Sequence, residues 1–237
     1  MGGEQINKKQ STGKITSGIK SRTFQLAIIN FIYQQLPIWR DDSDRPDEQS
    51  EDKLNLQLCK FIDSCAREYF PMVRFDHEEY QTGQRRVDIS ASPAKSTHFG
   101  AKLYTIYDPI LVLEGKRLPA PSSDREKEYA TGTNSKKISG GIQRFKLGLH
   151  GAKHNLAVII GYLQNHSARF WQKKINGWMS ELVSNPIGDG CIWTTDETLQ
   201  AFKANTSNYI YRYHSIHNRT GKIVDDKIEL HHLWVTM

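Results

Sequence analysis

Two short segments place charge where charge is costly. Arg86-Val87-Asp88-Ile89 reads as part of a strand, and Leu113-Glu114-Gly115-Lys116 continues the most apolar run of the chain, Ile110-Leu111-Val112-Leu113. Side chains alternate along a strand, so Glu114 and Lys116 share one face and Gly115 takes the other. A carboxylate and an ammonium two residues apart, beside such a run, are expensive to desolvate without partners or purpose. Asp88 sits between Val87 and Ile89, whose side chains point the other way. If the two strands are neighbours, Asp88, Glu114 and Lys116 converge. Two carboxylates offer hard oxygen ligands to Mg²⁺. The amine then stands where it can orient an attacking water or offset the charge that develops on a phosphorane.

The elements that must position these groups are legible in the periodicity. Phe24 to Leu36 reads as an apolar helix stopped by Pro37. Gln49 to Tyr69 reads as an amphipathic helix, with Leu54, Leu58, Phe61, Ile62, Cys65 and Tyr69 at steps of three and four. Strand patterns cover Val73 to Phe75 and Arg85 to Ala91, separated by the turn-prone Gln81–Gln84. Ser92 to Gly100 reads as a loop. Tyr104 to Leu118 holds a strand buried on both faces. Polar residues from Pro119 to Ser139 lead to a short helix, Gly141 to Leu149, followed by a buried strand, Leu156 to Leu163, and a helix, Ala168 to Val183. Strands at Tyr209 to Ile216 and Lys227 to Thr236 finish the chain. This order predicts an α/β fold with a mixed central sheet and helices on both faces. Its expected organisation is a flexible basic arm (residues 1–22) and one domain (23–237), with a core at about 48–184 and a C-terminal strand extension, 185–237.

The spacing of Val87-Asp88 and Glu114-Gly115-Lys116 resembles the PD-(D/E)xK phosphodiesterase superfamily of restriction-endonuclease-like nucleases, with Val87 where the family has Pro. The resemblance covers about Glu51 to Leu163. It implies a restriction-endonuclease-like core and metal-dependent endonucleolytic hydrolysis of DNA, with Asp88, Glu114 and the backbone carbonyl of Gly115 holding Mg²⁺ or Mn²⁺ and Lys116 positioning water. Such families often carry an acid on the preceding helix. Glu51 shares the stripe of Leu54 and Leu58 and is the choice for completing or orienting the metal shell, although an acid in a first turn also suits the helix dipole. Some carry a Gln on the following helix, which points to Gln143 as an assisting residue, the alternative being a Gln that faces water. Lys136, Lys137, Arg144 and Lys146 flank that helix start and are the expected phosphate contacts. Further implications are a prokaryotic restriction or anti-phage setting, an ATPase-like protein partner and a homodimer. Nothing in the residues separates DNA from RNA.

Composition agrees with a folded protein that attracts phosphate. The 237 residues carry a formal charge of +6, with 38% hydrophobic and 10% aromatic residues, which excludes a disordered or fibrous chain. From Lys116 to Lys174 basic residues outnumber the acids Asp124, Glu126 and Glu128 by twelve to three, which on charge alone reads first as a solvated surface with no partner and otherwise as a segment suited to counterion release on nucleic acid. The longest uncharged stretch, Thr23 to Trp39, is too short and polar to span a bilayer, so no membrane association is expected. Three unpaired cysteines fit a reduced, cytoplasmic compartment.

Other chemistries fit less well. His150 and His154 stand four apart, but Gly151 occupies the place of a zincin's general base. Gly132 to Lys137 lacks the Gly that precedes a P-loop Lys. His214, His217, His231 and His232 read as packed or exposed strand residues, and Ser215 to Arg219 as a segment that could join a phosphate surface. Trp171, Trp178, Tyr209, Tyr211 and Tyr213 read as core. Two other readings stay open: a non-catalytic nucleic-acid-binding or scaffold module, and an enzyme of other substrates whose charged trio is a structural ion network.

Overall fold

A computed structural model describes residues 20–81, 83–134, 136–205, 208–221, 223 and 225–237. Residues 1–19, most of the expected arm, lie outside it; Ser21 and Arg22 open the first helix rather than an arm. The elements run α1 (Ser21–Arg40), α2 (Glu51–Tyr69), β1 (Val73–Tyr80), β2 (Arg86–Pro93), β3 (Thr97–Phe99), β4 (Lys102–Tyr104), β5 (Leu111–Leu118), a 3₁₀ helix (Ser123–Tyr129), α3 (Gly141–Lys146), β6 (Leu156–Leu163), α4 (Ala168–Ser184), β7 (Gln200–Asn205), β8 (Ile210–Asn218) and β9 (Lys227–Thr236).

Seven strands form one mixed sheet in the order β1-β2-β5-β6-β9-β8-β7, with β5, β6 and β9 parallel to one another. Strand β6 is buried along its whole length, and its side chains divide by parity as a two-faced strand requires. Leu156, Val158, Ile160 and Tyr162 join the core under α1 and α2, whereas Ala157, Ile159 and Leu163 join the core with α3 and α4. The sheet is thus mixed and covered on both faces, as the periodicity predicts.

Two expectations need correction. Pro37 does not stop α1, because it lies in the last turn and Trp39 beyond it is buried, its ring 5.8 Å from that of Tyr162. Residues 185–237 are no extension. The last strand, β9, pairs in parallel with β6 over Leu156–Leu163 and separates it from β8, so the end of the chain is an inner strand. A strand next to β6 is invisible in local pattern, since only pairing across the chain defines it. The segment read as a loop, Ser92 to Gly100, holds β3, which pairs with β4 just beyond it in a hairpin whose Phe99 stacks on Phe24 at 4.2 Å and covers the start of α1.

Candidate active site

Strands β2 and β5 are in register at Ala91–Leu111, Ser90–Val112 and Ile89–Leu113, and the ladder goes no further. Beyond it the edge of β5 carries N–H groups with no strand to receive them, and buried backbone donors need acceptors. Carboxylates supply these. Asp88 Oδ2 accepts the Gly115 N–H at 2.7 Å, and Glu51 Oε2 accepts that of Arg117 at 2.9 Å. The cleft where the strands part therefore collects acids from two elements beside the Glu114–Lys116 strand.

Gly115 explains how α2 reaches the cleft. A Cβ there would stand 1.8 Å from Asn55 Oδ1, so only glycine lets the buried Asn55 rest on β5, where it accepts a hydrogen bond from the Tyr162 hydroxyl at 2.8 Å. One turn earlier on α2, Glu51 extends over the strand end. Its Oε1 takes a hydrogen bond from Lys116 Nζ at 2.9 Å. Lys116 Nζ also lies 3.1 Å from Glu114 Oε1, and its stem passes the N-terminus of α3 at Gly141. Asp88, Glu114, Lys116 and Glu51 are thus brought together, as the spacing predicts.

Glu114 is 1% exposed and crowded by positive or polar hydrogen donors. Arg144 Nη1 reaches Oε1 at 2.8 Å, and His150 Nδ1 stands 3.1 Å from Oε2. Burial alone would raise the Glu114 carboxyl, but Lys116, His150 and Arg144 hold it far below the usual carboxylate range. Burial would likewise lower Lys116, yet Glu114, Glu51 and Asp88 keep its ammonium protonated well beyond the ordinary range. Asp88 behaves in the opposite way. Burial and the Glu114 charge push its carboxyl well above its usual value, more than Lys116 and the Gly115 N–H pull it down. Among the described residues no Lys, Arg or His nitrogen lies within ion-pair distance of it. Of the three carboxyls in the cluster, Glu51 and Glu114 meet Lys116 or Arg144 at ion-pair distance and Asp88 meets neither.

That imbalance is the test of a metal here. Among the described residues no three His, Cys, Asp or Glu side chains form a ready-made metal cluster. The donor set still suits Mg²⁺ or Mn²⁺ in its usual form, one or two carboxylates with water and substrate oxygens completing the shell. Asp88 and Glu114 would be those two. Glu51 has both oxygens engaged, by Lys116 and the Arg117 N–H, which suits the orienting part of its expected role. It positions the lysine.

Three further expectations are overturned. Gln143 does not face the cleft. It is fully buried, its Oε1 accepting the N–H groups of Gly132 (3.0 Å) and Gly140 (3.1 Å) and its Nε2 donating to Asp189 (3.0 Å), so it clasps the loop before α3. Lys146 contacts no phosphate. It is 0% exposed and donates to both Glu197 oxygens at 2.6 Å. Arg144 turns inward to Glu114. Lys136 is exposed, and Lys137 pairs with Glu128 at 3.1 Å on the surface. The six-residue α3 is buried on nearly every side, so apolar spacing does not tell which of its polar residues face water.

Arg144 and His150 were not legible as parts of this site. His150 arrives through a turn in which Gly148 and Gly151 take φ of +64° and +61°. Arg219 locks that turn by donating to the carbonyls of Phe145, Gly151 and His154, and is itself buried, so it is no phosphate contact. Of the aromatics, Trp171, Trp178 and Tyr213 are core, whereas Tyr209 is exposed. Two of the strand histidines, His217 and His232, join a buried chain in which Glu197 stands 3.3 Å from His217 Nδ1, and Ser215 Oγ meets His217 Nε2 at 2.7 Å and His232 Nε2 at 2.8 Å. Tyr129 then bonds His232 at 2.8 Å. Glu197, His217 and Ser215 line up as an acyl-transfer triad does. All three are at most 2% exposed, however, and the hydroxyl is shared by a second imidazole, so the chain is structural. No protein-family model, curated protein or solved structure matches this chain.

Proposed function

We propose that the protein is a metal-dependent nuclease that hydrolyses phosphodiester bonds of DNA. The observation that carries this reading is the meeting of Asp88, Glu114 and Lys116 where β2 and β5 part, with Lys116 pinned by Glu51. Asp88 and Glu114 would hold a divalent cation, which supplies Lewis acidity and a more acidic water when bound. Lys116, fixed between two carboxylates, presents a donor that orients the nucleophilic water and offsets charge growing on the phosphate. Glu51 keeps the ammonium in place and protonated. Arg117, Arg125, Lys136 and Lys137 supply the basic surface for the backbone of the substrate. A homodimer, an ATPase-like partner and a role in prokaryotic defence belong to the same proposal through the family resemblance alone.

A second reading has one observation in its favour. Glu114 already meets Lys116, Arg144 and His150, as a structural ion network on a non-catalytic nucleic-acid module would. One experiment separates the two. Purified protein is incubated with linear, circular and single-stranded DNA and with RNA, in Mg²⁺ or in EDTA, beside Glu114→Ala and Lys116→Ala proteins checked by circular dichroism. Cutting that needs Mg²⁺ and is lost in both folded variants supports the nuclease. Cutting by both variants discards the site, and binding without cutting, indifferent to Mg²⁺ and to Asp88→Ala, supports the module.

A further inference from the structure

Resting on the nuclease reading, the geometry around Glu114 points to a regulation of that site: we infer that Arg144 and a divalent cation compete for the Glu114 carboxylate, with the Arg144 guanidinium acting as a latch that must leave before the cation enters. Lys116 and Arg144 both sit on Glu114 Oε1, while Oε2 faces the His150 ring at 3.1 Å without a hydrogen bond, so a cation that takes Oε1 must displace one of the two. Lys116 is the least movable in charge, since Glu51 holds it from the other side and its stem lies against Gly141. His150 is fixed by shape, being 1% exposed and edge-on to the Phe145 ring at 5.9 Å. Arg144 is the loose member. Its side chain retains about a quarter of its exposure (24%), its guanidinium has Glu114 as its hydrogen-bond partner, and its Nε is left without one.

Charge balance points the same way. Exchanging the guanidinium for a dication brings one more positive charge to a cluster in which Asp88 has no cation beside it. An exchange is therefore favoured over simple addition, because adding a dication beside Lys116 and Arg144 would crowd three cations on one buried oxygen. Arginine suits the latch, since it stays charged at every working pH while its long stem swings to solvent without leaving the helix. In the absence of metal the latch neutralises Glu114, and the cleft remains inert.

The test measures metal binding directly. Mn²⁺ affinity of the full chain is read by isothermal titration calorimetry and by water-proton relaxation for the wild type, Arg144→Gln, Arg144→Lys and Asp88→Asn. Arg144→Gln is expected to tighten Mn²⁺ binding by about tenfold or more, the factor set by about 1.4 kcal/mol of lost competition. Arg144→Lys keeps the charge with a single point of contact and should fall between the two, which secures the result if the Gln variant folds poorly. Asp88→Asn should weaken binding. Mn²⁺ binding by the wild type that Arg144→Gln leaves unchanged or weakens would overturn the latch while leaving the nuclease reading intact. Binding by none of the proteins would overturn both.

Discussion

Lys146→Met deletes an ammonium that lies wholly inside the protein while keeping a side chain of similar length. The ammonium meets both Glu197 oxygens at 2.6 Å, and Glu197 is 1% exposed. Burial alone would raise the Glu197 carboxyl, but His217 and Lys146 hold it below its usual value, so removing the lysine leaves a buried acid without its cation. Breaking one side of a buried pair costs about 3–5 kcal/mol, because the other charge is stranded. Glu197 keeps the Asn218 N–H at 2.9 Å and the His217 ring at 3.3 Å, which favours the lower end of that range. For a chain of this size each kcal/mol moves Tm by roughly 2–4 °C, so a fall of about 6–12 °C is expected. Lys146→Met/Glu197→Gln, in which the amide oxygen still accepts the Asn218 N–H, should recover at least half of it. Thermal melts followed by circular dichroism measure the cycle, and DNA affinity as a function of salt supplies the contrast. A lysine on phosphate changes the salt slope by about one when removed; this one should leave the slope alone. A melt within about 1 kcal/mol of wild type together with a shallower salt slope would refute the buried placement.

Gly115→Ala drives a Cβ into Asn55 and must shift α2, so a loss of about 1–3 kcal/mol is expected together with slower cutting, as Glu51 rides on the same helix; unchanged melting and rate would sink that packing account. Glu51→Gln keeps an acceptor for the Arg117 N–H but removes a charge from beside Lys116. It should lower the cleavage rate about 10–100-fold, the usual cost of losing an orienting group, with little change in Tm, and a wild-type rate speaks against the positioning role. The histidines predict acid sensitivity. Burial lowers the pKa of His217, His231 and His232 below the ordinary value of 6.5, so they stay neutral in the folded state while the unfolded chain takes up protons. Their contribution is complete above pH 6.5 and is lost as pH falls through the lowered values. Asp88, held high, works in the opposite sense, because protonating it relieves a cost, so Asp88→Asn should steepen the decline. Melts that stay level or rise between pH 7.5 and 5.5 in the Asp88→Asn protein would contradict the buried, neutral histidines.

What the sequence determined by itself is what nearest neighbours along the chain decide. Alternation set the faces of β6, three-and-four spacing set α2 and α4, and the parity of Glu114 and Lys116 around Gly115 already placed a carboxylate and an ammonium side by side. Those outcomes follow from the pleat of a strand and the pitch of a helix, which every local window carries. Tertiary structure alone decided the rest. That β9 lies between β6 and β8, that β2 parts from β5 after Ile89, and that Asn55 seats on Gly115 are facts of pairing between distant segments. The same holds for α3, where Gln143 reads as an assisting active-site residue and Arg144 and Lys146 as phosphate contacts. One became a loop clasp, one a partner of Glu114 and one a buried ion pair, because packing from three sides gave each a different acceptor. A polar side chain announces its need for a partner, and only the folded chain says which partner comes within reach.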